Sequence, residues 1–163
     1  MPPGNIKSND KIIGVLIADD HPLIRSALRN ALSNETDIKV LGEARDGLEA
    51  TVEAARLNPD VIIMDIYMPK CDGLKALVSI KAKLPDVRVL LLTVSDKEED
   101  LLQALRFGAD GYVLKTDEID VIEAVRKTAR GETNLPPYIA QKLIVDLLEK
   151  KGNFSLSKRQ QEV

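Results

Sequence analysis

The chain has 163 residues, 44% of them hydrophobic, 30% charged and only 3% aromatic, a composition that excludes disorder and implies a soluble domain with an aliphatic core. A formal net charge of -3 provides no general attraction for a polyanion, and a single cysteine, Cys71, excludes an internal disulfide or a cysteine-rich zinc site. No apolar run approaches the ~18 residues of a membrane helix, and residues 1–11 lack the apolar core of a signal peptide, so a cytoplasmic protein with a flexible N-terminus over 1–10 is expected.

From residue 11 onward, short apolar runs alternate with longer amphipathic ones. Runs at 12–18, 38–41, 61–64, 88–94 and 111–114 are short and mostly uninterrupted, as parallel strands covered on both faces should be. Between and after them lie five helical stripes. These are Leu23, Ile24, Ala27, Leu28, Ala31 and Leu32; Leu48, Val52 and Ala55; Leu74, Leu77, Val78 and Lys81; Leu101, Leu102 and Leu105; and Ile119, Ile122, Val125 and Ala129. Pro22 suits a first helical position, Asn58-Pro59 and Leu84-Pro85 close helices, and Gly108 and Gly131 suit C-terminal caps. Ser95-Asp96-Lys97-Glu98 has the form of a capping box opening the fourth helix.

Strict βα alternation with right-handed crossovers predicts an α/β fold with a doubly wound, five-stranded parallel sheet. The second strand is the most polar, which suits an edge and favours the order 2-1-3-4-5, with the first and third strands adjacent.

That order gathers chemistry at one end of the sheet. Asp19 and Asp20 follow the first strand, Asp65 the third, Thr93 ends the fourth and Lys115 follows the fifth. Three crowded carboxylates call for a hard divalent cation with oxygen ligands, Mg2+ in particular. With one carboxylate available as nucleophile, a hydroxyl donor and a fixed ammonium, the set suits phosphoryl transfer to a carboxylate, whose transition state is stabilised by positioning and charge. His21, the sole histidine, adjoins the acids and reads as an entry residue of the first helix.

The segments Ala18-Asp19-Asp20-His21-Pro22-Leu23-Ile24-Arg25, Met64-Asp65-Ile66-Tyr67-Met68-Pro69 with Asp72-Gly73, Leu92-Thr93, and Gly108 through Lys115 resemble the receiver domains of bacterial two-component response regulators, in particular the LuxR/NarL branch. The resemblance covers about residues 11–131 and implies a flavodoxin-like (βα)5 receiver fold. It implies that Asp65 is the phosphoacceptor, Asp20 a direct Mg2+ ligand, Asp19 an acid acting on the metal largely through water, and the Tyr67 backbone carbonyl a third protein ligand. Thr93 is implied as the switch hydroxyl, Lys115 as the cation paired with the phosphoryl group, and Tyr112 as the aromatic side chain that follows the switch. Thr116 stands where many receivers carry a proline after the lysine with a cis bond, which leaves the Lys115-Thr116 geometry open.

On this reading the protein is a phosphorylation-activated switch rather than a turnover enzyme, taking its phosphoryl group from a sensor histidine kinase, with a homodimer a candidate active form. The rival classes are a Mg2+-dependent hydrolase or phosphotransferase with an aspartyl-phosphate intermediate, and an unphosphorylated interaction module. No insertion between these elements is long enough for a cap or substrate pocket, which disfavours the former, and the intact acid, hydroxyl and lysine set disfavours the latter. Residues 132–152 read as a linker with a sixth helix starting at Leu135-Pro136-Pro137, with Ile139, Leu143, Ile144 and Leu147 along one face. Residues 153–163 resemble the opening of a LuxR-type helix-turn-helix effector, here read as truncated. DNA binding is expected through that effector and not through residues 1–163, which supply no recognition helix.

Overall fold

A computed structural model describes residues 11–94, 97–115 and 121–132, together with positions 141, 144, 145, 148 and 149. Five strands, β1 (Ile13–Ala18), β2 (Ile38–Ala44), β3 (Val61–Met64), β4 (Arg88–Thr93) and β5 (Gly111–Leu114), alternate with α1 (Pro22–Ser33), α2 (Gly47–Leu57), α3 (Gly73–Lys83), α4 (Glu98–Arg106) and α5 (Val121–Ala129). All strand pairs are parallel and the order is 2-1-3-4-5, as the alternation of apolar runs predicts. β2 lies at the edge and runs to Ala44, three residues beyond its apolar stretch, because Glu43 and Ala44 still pair with Ile17 and Ala18.

Both faces of the sheet are covered, which accounts for unbroken apolar runs such as Val61-Ile62-Ile63-Met64. Side chains alternate between two cores. Leu16, Ile62, Met64, Leu91, Tyr112 and Leu114 pack against residues of α2, α3 and α4, whereas Val15, Ile17, Ile63, Leu90, Leu92 and Val113 pack against α1 and α5.

The helices stop where the punctuation predicts. Pro22 opens α1, Asn58 caps α2 in the left-handed region at φ 48°, and Leu84, just before Pro85, caps α3. Gly108 and Gly131, at φ 100° and 84°, terminate α4 and α5 in a conformation that disfavours any Cβ. α4 has Lys97 at its N-cap; Ser95 and Asp96 of the expected capping box lie outside the described residues, as do Ile119 and the Lys115-Thr116 bond.

Two helix faces differ from the predicted stripes. In α2 the buried residues are Gly47, Ala50 and Ala54, while Leu48, Val52 and Ala55 are exposed. In α1 Leu28 and Leu32 are buried and Leu23, Ala27 and Ala31 face outward. In α2 the small residues let the helix backbone approach closely, and the larger apolar side chains lie on the other face. Periodicity locates a stripe but does not rank two stripes about 120–130° apart by side-chain size.

In the core, one buried hydroxyl among the described residues lacks a partner. Thr128 of α5 is fully buried and its Oγ1 makes no hydrogen bond among the described residues. Thr128→Val keeps the shape and removes an unpaired hydroxyl, so it should stabilise the domain by about 1 kcal/mol. A lower urea midpoint for that variant would contradict this reading of the α5 packing.

Positions 141, 144, 145, 148 and 149 are helical, and Ile144, Val145 and Leu148 are exposed. The N-terminal tail, the Leu135-Pro136-Pro137 helix start and the 153–163 effector start lie outside the described residues. No helix among the described residues is long and apolar enough to cross a membrane.

Candidate functional site

The site follows from strand register. Ala18, the last residue of β1, pairs with both Ala44 and Met64, so Asp19 and Asp65 leave neighbouring strands side by side. Their backbones remain tied to the sheet, Asp19 N donating to Ala44 O at 3.0 Å and Asp65 N to Ala18 O at 3.0 Å. On the other side Thr93 pairs with Leu114, and Lys115 N donates to Thr93 O at 2.7 Å, which aims the lysine across the strand ends. Its ammonium bridges Asp19 Oδ2 at 2.7 Å and Asp65 Oδ2 at 2.9 Å.

This cluster is buried, Asp19 being 2% and Asp65 3% exposed. Burial alone would push the Asp19 carboxyl up, but the Lys115 ammonium and the His21 backbone amide and ring outweigh it and hold that carboxyl below its ordinary value. Burial acts on Lys115 in the opposite sense, and the hydrogen bonds to Asp19 and Asp65 more than offset it, so its ammonium is held above its usual range.

Asp19, Asp20, His21 and Asp65 each offer a ligand atom within 4.8 Å of the others. Among the described residues Asp20 Oδ1 is buried without a hydrogen-bond partner, with His21 Nδ1 3.1 Å away. An orphaned carboxylate oxygen among hard oxygen donors is what a small divalent cation would satisfy. His21 Nδ1 instead hydrogen-bonds Asp19 Oδ1 at 2.8 Å.

The β3–α3 loop closes one side of the pocket. Tyr67 N donates to Asp65 Oδ1 at 3.2 Å, and the tyrosine hydroxyl donates to Asp100 of α4. Gly73 N donates to Ile66 O at 2.6 Å, and Asp72 caps α3 through Lys75 N. The loop is also held from β2–α2, where Gly47 N donates to Cys71 O at 2.9 Å and Lys70, in the left-handed region at φ 66°, reaches Asp46 at 3.9 Å. Burial and Asp72 push the Cys71 thiol up, consistent with a packing residue rather than a nucleophile.

The structure therefore brings together Asp19, Asp20, Asp65 and Lys115 and puts Tyr67 beside them. Thr93 is fully buried at the end of β4, and Tyr112 is 1% exposed. Because Leu91 pairs with Tyr112, Thr93 lies two residues further along β4 on the same face of the sheet. Sequence reasoning missed three contributors. Arg25 Nη1 donates to Asp19 O at 2.6 Å while its Nε reaches Glu43 at 3.2 Å, pinning the acid turn from α1 and β2. Gly47 and Asp100 act from elements distant in sequence, and only Arg25 lay within a quoted motif.

A sheet of this order with a buried acid and lysine cluster at its C-terminal edge defines the receiver class of signalling domain. The family model for the response regulator receiver domain matches residues 15–126. The chain is 42% identical over 132 residues to the response regulator protein VraR of Staphylococcus aureus, covering 80% of this chain and 63% of that protein. Among solved structures, a LuxR-family two-component response regulator from Aurantimonas sp. SI85-9A1 superposes with a TM-score of 0.78 at 27% identity, over 85% of this chain and 99% of that one. The isolated receiver domain of RcsB from Salmonella enterica serovar Typhimurium, solved with the phosphomimetic BeF3-, gives 0.73 at 27% identity, over 80% and 98%.

The chain belongs to the response-regulator receiver family. It spans about 63% of the length of the curated relatives it matches.

Proposed function

We propose that Asp65 is the phosphoacceptor and that the pocket takes a phosphoryl group from the phosphohistidine of a sensor kinase. The observation that carries this reading is the Lys115 ammonium, which follows β5 and is shared between Asp19 and Asp65 at the ends of β1 and β3. A carboxylate oxygen of Asp65 attacks phosphorus, the P–N bond breaks as the P–O bond forms, and the leaving imidazole takes up a proton. Lys115 then has a phosphoryl oxygen to pair with in place of a carboxylate. Asp19, Asp20, Asp65 and the Tyr67 carbonyl would hold Mg2+, which when bound supplies positive charge to the transferring oxygens.

Thr93 is the hydroxyl assigned to the phosphoryl group, and Tyr112, on the same sheet face, is the side chain that reads its movement. Tyr112 is 1% exposed and belongs to the buried cluster that holds Met64, Leu91 and Leu101, which supports an inward position as one end of that switch. The protein acts as a signalling regulator, with slow loss of its own phosphoryl group the only turnover assigned to it. A cytoplasmic site of action, a homodimer as the active form, and DNA binding through an effector domain beyond the receiver complete the proposal; RcsB dimers solved on DNA and a DNA-binding LuxR-family regulator of Staphylococcus aureus support the last two.

Incubation with acetyl phosphate and Mg2+, followed by intact and peptide mass spectrometry, tests the assignment. One phosphoryl group is expected on Asp65 in the parent and none in Asp65→Ala, while Asp20→Ala should chiefly weaken Mg2+ binding. Normal labelling of Asp65→Ala sinks the assignment, and an unlabelled parent favours an interaction module.

A further inference from the structure

We infer that Asp100 is a positioning residue for the phosphoacceptor pocket, holding the Tyr67 side chain as a brace between the β3–α3 loop and helix α4. The inference rests on the reading of Asp65 above and goes beyond it. Tyr67 is bonded at both ends. Its backbone N–H meets Asp65 Oδ1 at 3.2 Å, and its hydroxyl donates to Asp100 Oδ2 in the first turn of α4. One residue thus runs from the carboxylate to a helix 33 positions further along the chain.

The brace has a job because the other bonds described for this loop, Gly47 N to Cys71 O, Gly73 N to Ile66 O and the Lys70–Asp46 ion pair, hold its backbone and its far side. Backbone bonds there fix where the loop leaves Asp65, and the hydroxyl fixes where the ring lies. Tyr67 is 47% exposed, and the bond to Asp100 narrows the rotamers that its ring samples. An aromatic ring held across the pocket mouth obstructs a water approaching in line with the Asp65–phosphorus bond. The hydroxyl accordingly does two things: it restrains the ring two residues beyond Asp65, and it makes the first turn of α4 sensitive to the loop that follows Asp65. The acceptor is a carboxylate and the donor a phenol, a charge-assisted pairing that favours one geometry.

The test compares Tyr67→Phe, Asp100→Ala and the double variant in the full chain. Each is phosphorylated with acetyl phosphate, and the decay of the phosphorylated mass is followed after the donor is removed. Each single variant should lose its phosphoryl group about three- to tenfold faster than the parent, the factor of one net hydrogen bond, and the double variant no faster than either. Amide exchange over residues 98–102, measured without any phosphoryl donor, should quicken in all three. Parent-like decay, or single effects that multiply in the double variant, would overturn the brace. A parent that is never labelled at Asp65 defeats the phosphoacceptor reading instead. The exchange measurement then decides the brace alone, unchanged protection at 98–102 overturning it.

Discussion

Lys115→Met should be destabilised by about 2–4 kcal/mol in metal-free buffer, the order of cost for removing one partner from a buried ion pair. The lysine side chain is 12% exposed and sits 2.7 and 2.9 Å from two carboxylates that are themselves almost fully buried. Methionine fills most of the aliphatic stem but leaves Asp19 and Asp65 facing each other with no cation between them. Two like charges so close cannot both stay ionised without cost. Millimolar Mg2+ should return most of the loss, since a cation bound to the folded state alone stabilises it by mass action, and the parent should gain less because its pocket already contains an ammonium. Urea titrations with and without MgCl2 provide the check. Equal stabilities of parent and variant in metal-free buffer would show that the lysine does not neutralise these acids.

Gly73→Ala should combine a stability loss of about 2–3 kcal/mol with a collapse of phosphoryl uptake, because the added methyl group meets rigid backbone. A Cβ at this position would lie 2.7 Å from Ile66 Cα and 2.9 Å from the Asp65 carbonyl carbon, with the Asp65 oxygen closer still. None of these atoms belongs to a flexible side chain. Either α3 retreats from β3, opening a gap behind Ala76 and Leu77, or the Asp65–Ile66 backbone moves and takes the carboxylate with it. The hydrogen bond from Gly73 N to Ile66 O, 2.6 Å in length, is lost in both cases. Gly47→Ala offers a graded comparison, since its Cβ would meet the Cys71 carbonyl carbon at 2.8 Å in the same loop, farther from Asp65. If Gly73→Ala folds and accepts a phosphoryl group at the parent rate, the close approach of α3 to the carboxylate strand is not a requirement.

Much of this architecture was legible because strand identity and helix ends are local properties. The run Val61-Ile62-Ile63-Met64 is buried from end to end, and it reads as a doubly covered strand without knowledge of its neighbours. Asn58-Pro59, Leu84-Pro85 and Gly108 stop their helices through backbone restrictions that each residue carries with it. The acids and Lys115 were legible for a related reason: an edge-suited second strand implies the order 2-1-3-4-5, and that order alone brings residues 19, 65 and 115 to one rim.

The helix faces and the bracing of the loop were not legible. In α2, Leu48 and Val52 compete with Ala50 and Ala54 for the interior, and hydropathy favours the larger pair. The smaller pair is buried because α2 packs so closely that Gly47 touches the Cys71 carbonyl, a constraint belonging to the packed distance between two elements. Arg25 and Asp100 escaped notice for the same reason, since an arginine or aspartate on an amphipathic helix looks solvated until the partner element is in place.

The order of apolar runs, the stop signals between them and the placing of acids, threonine and lysine just after strands are written in the sequence, because each depends on covalent geometry and on side-chain chemistry over a few residues. Which oxygen meets which nitrogen is decided by the tertiary structure. The Lys115 bridge, the Arg25 grip on Asp19 and the Tyr67–Asp100 bond all join residues whose separation is set only when the sheet twists and the helices dock. Contacts that depend on distances across two packed layers have no local signature.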